Sequence, residues 1–347
     1  MAEKKARRTE FDILRLAAVL AVIMTHACGG AVKELDIFGA EWTVLNCLRS
    51  AVTWDVPVFV MMSGYLFLRP EKEISIKQLY TKYIKHLLIC FFVWSAVYQA
   101  YYVIFTDVSL NWKGIASQFL IGPYPFWYLY MQIGLYMIVP FLRKIAENKK
   151  TAEYFIILFV LAEFVANYGA KLPFVGAVVE EIFKKMHFDF MLGFSGYYVL
   201  GCYLTRYPVS KKIETALYVA GACCVVFACV GTTWQSKAEG KYNEWFSKYL
   251  MPNVIIESAA VFTLFTKRIS KIRFKEKTQK AFKMLSEAGL GVYLVHALII
   301  ELLSLAGISV SKYGVLSVIP ISLTVYAVSL LLTLLIRKIP KIGKMIS

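Results

Sequence analysis

The chain has 347 residues, 59% of them hydrophobic, and a mean hydropathy of +0.58. Runs of about 20 apolar residues recur along it, and no stretch between them is long enough to build a soluble core, which excludes an ordinary water-soluble fold. A net charge of +16 would point to nucleic acid in a soluble protein. Here the basic residues form no single stripe, so nucleic acid is excluded as a partner.

The predicted elements are about ten membrane-spanning helices, near residues 11–27, 43–68, 83–105, 124–142, 154–168, 188–205, 214–233, 249–266, 286–305 and 314–336. They form one membrane domain over residues 1–347, an all-α polytopic bundle. With the N-terminus in the cytoplasm, 28 of the 39 Lys and Arg residues fall in cytoplasmic segments and 9 in outer loops. That bias predicts cytoplasmic N- and C-termini and a multi-pass protein of the cell's plasma membrane. Lys4, Lys5, Arg7 and Arg8 imitate an export signal. No small-residue cleavage site follows and nine more spans come after, so the first apolar run is expected to be span one. The basic loop at 267–283 suits a solvated helix on the anionic leaflet, making membrane lipid the first expected partner. Five cysteines lie within spans and read as small buried hydrophobes. Cys28 and Cys47 are the pair placed for one outer disulfide, and no Cys/His spacing suits a metal.

Ionisable groups inside spans are the best pointers to chemistry, because each costs on the order of 3 kcal/mol to insert. In span one, Asp12 lies one turn before Arg15, and Arg15 and His26 are eleven residues apart. At 100° per residue the latter two share a face, with His26 about 16 Å farther along the axis. Spacing alone allows either a functional pair or a snorkelling arginine with a packing histidine. Span two carries Asp55, then Ser63-Gly64 for close helix approach, then Arg69. Arg69, Lys82, Lys85 and His86 form a basic cluster at the inner ends of spans two and three, readable as a phosphate site or as topology. Tyr128/Gln132, Glu163/Asn167 and Asn253/Glu257 repeat an i,i+4 polar pair in spans four, five and eight. Together they suggest a polar cavity open to the outside. Glu287 and His296 mark span nine, while His187 falls in an outer loop and carries no signal.

Four pieces of the chain resemble the acyltransferase-3 family of integral-membrane acyltransferases. They are Phe11-Asp12-Ile13-Leu14-Arg15 through His26, Val56-Pro57 through Ser63-Gly64-Tyr65-Leu66, Phe126-Trp127-Tyr128-Leu129-Tyr130, and Gly291-Val292-Tyr293-Leu294-Val295-His296. They stand in family order across nearly the whole chain. The resemblance is closest to short, stand-alone members that O-acylate surface glycans, without the extracytoplasmic hydrolase-like domain of longer relatives. Phe126 stands where relatives often have histidine, and Lys82, Lys85 and His86 replace an arginine-rich segment.

The resemblance implies an enzyme that transfers an acyl group, expected to be acetyl, from acyl-coenzyme A to a hydroxyl of a cell-surface or lipid-linked saccharide. It makes His26 the catalytic histidine with Arg15 as motif partner, and Arg69 part of the donor site. Lys82 and Lys85 are expected to join Arg69 around the donor phosphates. Tyr128, Glu163, Glu257 and His296 are expected near the acceptor. Asp55 is expected to orient His26, an inference from its mid-membrane position. Acetyl-coenzyme A is the expected donor, with no metal, and self-association is left open. The competing reading is a secondary transporter or glycan-related exporter, since paired carboxylates with histidines also suit proton coupling. No inverted repeat supports it.

Overall fold

The computed structural model describes residues 8–105, 112–186, 193–340 and 343–347. Lys4, Lys5, Arg7, His187 and the first residues of the span expected at 188–205 lie outside the described residues. All regular structure among the described residues is helical. Eight helices are long and apolar enough to cross a bilayer, or nine when a pair bent by 57° counts as one span. The polytopic helical bundle read from the apolar runs is therefore present. The described part of the span expected at 188–205 is Phe194–Arg206, 13 residues, shorter than the ~17–25 a bilayer crossing needs.

The chain begins with α1 (Thr9–Glu34). The second span is two helices, α2 (Ala40–Ser50) and α3 (Asp55–Leu68), joined by turns at 51–54. In the third, α4 (Ile76–Gln78) starts at a Ser75/Gln78 capping box. It continues through a π-helical turn (Leu79–Ile84) into α5 (Lys85–Phe105). There follow α6 (Trp112–Ile121), α7 (Trp127–Glu147), α8 (Lys149–Asn167), α9 (Gly176–Met186), α10 (Phe194–Arg206) and α11 (Lys211–Glu239). Ser210 caps the start of α11, and Gly240, at φ 65°, supplies the left-handed residue that ends it. The C-terminal third is α12 (Pro252–Lys267), α13 (Glu276–Glu287), α14 (Gly289–Leu305), α15 (Val310–Tyr313) and α16 (Val318–Arg337). The 57° bend separates α13 from α14. The basic loop expected to form a solvated helix contains α13, whose lysines at 277, 280 and 283 are exposed.

Position in the bundle follows from which faces are apolar. Because α3 is apolar nearly all round, it is buried on every side. It meets α10 backbone to backbone: a methyl group at Gly64 would stand 1.9 Å from the Tyr198 carbonyl oxygen, and one at Gly201 2.1 Å from that of Met61. The close approach expected at Ser63-Gly64 is thus real, and Gly201 supplies its other half. The first helix, α1, touches α2, α3, α12, α13, α14, α15 and α16, and so runs through the middle of the molecule. By contrast α8, α11 and α16 leave large apolar side chains exposed, among them Leu161, Phe227, Trp234 and Leu331. In a membrane protein such a surface is what lipid chains cover.

One expectation is corrected. Cys47 is bonded to Cys229 of α11, and Cys28 is free and buried. The helical period puts Cys28 on the buried side of α1, whereas α2 runs beside α11. Asn46 reinforces that join, donating to the Cys229 carbonyl (3.2 Å) and the Thr233 hydroxyl (2.9 Å).

Candidate functional site

One face of α1 organises the site. Asp12, Arg15, Val22 and His26 fall within a narrow sector, since steps of three, seven and four residues return a helix near the same angle. Asp12 and Arg15 form the expected pair at 3.8 Å, and Arg15 Nη1 also donates to the Ser286 hydroxyl at 2.6 Å. The Ser286 contact spans 271 residues of sequence and ties α1 to the end of α13.

At the end where α1 begins, a cavity of about 900 Å³ opens between α1, α3 and α10. Arg8, Arg15, Arg69 and Arg206 line it, against the two carboxylates Asp12 and Glu71. Arg69 stands at the end of α3 with its guanidinium 5.5 Å from the centre of the Tyr65 ring, and its shielded Nε has no partner. Four guanidinia with an excess of positive charge make a receptor for phosphate oxygens. Lys82 and Lys85 are exposed and do not line this cavity. Arg8 and Arg206, which the sequence reading did not single out for this cluster, do line it. Nothing in linear spacing signals Arg206, which reaches the cavity only because α10 packs on α3.

Arg15, Met62 and Leu66 also line a second cavity, of about 260 Å³, so the two adjoin. Its walls are mainly apolar and aromatic, with Val22, Tyr83, Tyr128, Tyr136 and Tyr293 around it. Tyr83 comes from the π-helical turn, a deformation that often marks functional positions. Tyr128 and Tyr293 rings lie 5.4 Å apart, and Tyr293 is 5.6 Å from the His296 ring. His296 is in turn 5.2 Å from His26, and Tyr124 lies 5.1 Å from His26 on another side. The two histidines, 270 positions apart in sequence, therefore share one aromatic pocket above the chamber.

The histidines differ in setting. His296 is fully buried, and its Nδ1 is 2.5 Å from the Tyr293 carbonyl. A carbonyl only accepts, so in the neutral ring Nδ1 carries the proton and Nε2 presents its lone pair, with no partner in the structure. Tyr293 is itself fixed by its hydroxyl, which donates to the Pro125 carbonyl. His26 is only half-buried, one turn beyond Val22 on the same face of α1, and like His296 it lines none of the three cavities. Asp55 takes a hydrogen bond from the Thr25 hydroxyl (2.9 Å) and one from the Val56 amide (2.6 Å). Its described bonds therefore reach the neighbour of His26. Standing at the first position of α3, it also suits the positive end of that helix.

A third cavity, of about 280 Å³, lies on the other side, lined by Thr25, Arg49, Thr53, Glu244, Lys248 and Tyr249, with Ser247. The polar opening expected from three i,i+4 pairs is built from different residues. Tyr128 and Gln132, joined at 3.4 Å, line the apolar chamber. Glu163 takes a bond from Asn167, which also reaches the Leu250 carbonyl, and this pair lines none of the three cavities. Glu257 is 2% exposed on α12, with neither oxygen bonded, and it too lines none of them. A repeated i,i+4 polar pair identifies a polar stripe on each helix but not which neighbour that stripe faces. Arg49 had a usable signal, a cation inside an apolar run, that the pairs overshadowed. Among the described residues no group of His, Cys, Asp and Glu is arranged to hold a metal.

The comparisons with known proteins agree with this geometry in one respect. A family model described as Acyltransferase domain, that of the acyltransferase-3 family, matches residues 8–338. No curated protein matches the chain, and no solved structure does.

Proposed function

The chain belongs to the acyltransferase-3 family and is an acyltransferase, and from that premise we propose that it carries an acyl group, acetyl in the first instance, from acyl-coenzyme A to a saccharide hydroxyl. The observation that carries this reading is the continuity along α1: the arginine-lined cavity adjoins the aromatic chamber at Arg15, and the same helix face continues to His26. Acyl-coenzyme A has a polyanionic end and a neutral thioester end. It would rest its phosphates on Arg8, Arg15, Arg69 and Arg206 and extend its arm into the chamber. The saccharide would approach from the opposite side, past Thr25, so donor and acceptor meet at one imidazole.

A sugar hydroxyl is a poor nucleophile until a base removes its proton, and a neutral histidine is suited to that step. In direct transfer, the hydroxyl oxygen forms a bond to the thioester carbon as His26 accepts its proton. The carbon–sulfur bond then breaks, and the thiolate recovers the proton to leave as free coenzyme A. In the covalent version, His26 first displaces the thiolate and then yields the acyl group to the hydroxyl. Either route would use a half-buried His26 beside an immobilised His296. The termini would face the cytoplasm, where the basic segments meet the anionic leaflet, and the membrane would be the plasma membrane of a bacterial cell.

The test is coenzyme A release from acetyl-coenzyme A by the purified protein in lipid nanodiscs, with and without a glycan acceptor. Acceptor-dependent release that disappears in His26→Ala, with normal insertion and yield, is the expected result. Release that survives the substitution removes His26 from the chemistry. A protein that never releases coenzyme A but moves a solute across a vesicle is a carrier.

A further inference from the structure

The third cavity has a charge pattern that the acyl-transfer reading alone does not account for. Arg49 sits near the end of α2, within the second span, where a cation is costly unless it has partners. Its Nη2 reaches Glu244 at 3.0 Å, and the Tyr242 ring lies 5.0 Å from its central carbon. Its Nε and Nη1 are shielded from solvent and have no acceptor. Those two nitrogens carry three N–H donors, and donors left unmade in such a setting are expensive.

The other charges of the cavity do not supply the missing acceptor. Lys248 adds a second, exposed cation, and Glu244, the carboxylate among the lining residues, is already engaged with Nη2. Asp55 lies behind the wall, hydrogen-bonded to Thr25, the Val56 amide and Tyr249, and its charge also acts on Arg49. The lining thus carries two cations against one carboxylate. Its volume of about 280 Å³ falls just below the ~300–1,000 Å³ of ordinary small-molecule sites, a size for one sugar unit rather than a long glycan. Thr25, the residue before His26, is part of the same wall.

We infer that this cavity is the acceptor subsite and that it selects a saccharide unit bearing a negative charge, a carboxylate or a phosphate, through Arg49. The inference rests on the acyl-transfer reading for the word acceptor, but its binding component stands apart from it. The anion meets the part of the Arg49 guanidinium that lines the cavity, and Lys248 draws it in from the open side. The uncharged hydroxyl-bearing part of the sugar then lies toward Thr25 and His26.

The experiment uses three probes on the full-length protein in nanodiscs: methyl β-glucuronide, glucose 1-phosphate and the neutral methyl β-glucoside. Thermal melting is followed with each sugar in the absence of donor, and coenzyme A release is followed with acetyl-coenzyme A present. The expected result is a rise in Tm with one or both anionic sugars, at concentrations about tenfold below those at which the glucoside acts. Arg49→Met removes that preference while the variant still melts cooperatively. Comparison of glucuronide with sugar phosphate tells which anion is used. Equal effects of the neutral and anionic sugars overturn the inference, and so does an undiminished preference in Arg49→Met. Should Arg49→Met fail to fold, Arg49→Gln decides: it removes the charge while keeping a polar side chain beside Glu244, and an anion preference equal to that of the wild type overturns the inference. An anion-specific Tm shift with no coenzyme A release from any sugar leaves the subsite standing and overturns the enzymatic reading. Release stimulated equally by all three does the reverse.

Discussion

Two cavities along α1 are each served by arginine, yet they tolerate it for different reasons. In the large cavity, four guanidinia stand near Asp12 and Glu71 in a space wide enough for water, which screens their mutual repulsion. In the small cavity Arg49 is largely shielded, and its cost is offset by one carboxylate and one aromatic face. A wide, wet cluster suits a ligand with many charges, while a single half-partnered cation suits a ligand with one. The chamber that adjoins the wide cavity is apolar and aromatic, so a thioester held there, as proposed, would meet little water.

The most complete break of this contrast removes the frame that both cavities share. Gly64→Leu places a side chain where the Tyr198 backbone already stands, on a helix buried on all sides. The expected outcome is loss of folded protein, seen as the absence of a monodisperse peak on size exclusion after normal membrane insertion. A folded, active Gly64→Leu protein would show that α3 and α10 do not meet as described. Next in size, His26→Ala is expected to lower transfer by about 10³-fold without lowering Tm appreciably, because His26 is half-buried and makes no described hydrogen bond. Initial rates of labelled acetyl transfer measure the first quantity and thermal melting the second.

A smaller effect separates the large cavity from the site of chemistry. Arg69→Ala is expected to raise KM for acetyl-coenzyme A by about tenfold while kcat changes by less than about twofold, the pattern of a lost phosphate contact remote from the reacting carbon. A fall in kcat at constant KM would move Arg69 into the chemistry. The smallest effect is expected from Lys82→Ala and Lys85→Ala. Both side chains are exposed and outside the cavity, so KM should change by less than about twofold, as for ordinary surface charges. A tenfold rise with either would return these lysines to the donor site.

Much of this molecule can be read without its coordinates, and the readable parts share a physical cause. Lipid demands long apolar helices, so the bundle and the approximate bounds of most spans follow from hydropathy. Hydropathy predicts about ten spans, whereas eight or nine are long and apolar enough among the described residues. A helix repeats every 3.6 residues, so Arg15, Val22 and His26 fall on one face whatever surrounds them. Ser63-Gly64 forecasts a close approach, because nothing but a missing side chain permits one. The four family-like segments forecast the family, whose model matches residues 8–338.

Only the tertiary structure could choose partners across long sequence separations. It set His296 beside His26, Ser286 on Arg15, Arg206 in the arginine cluster, Cys229 on Cys47 and Glu244 on Arg49. Helical periodicity states which way a side chain points but not which helix stands opposite. The glycine contact of α3 with α10 and the wrapping of the other helices around α1 decide that. The sequence by itself determined a membrane bundle with a histidine and an arginine on one face. The fold alone decided that a wide cationic cavity opens beside Arg15 and a narrow one beside Thr25, because each is built by helices that meet only when the chain is folded.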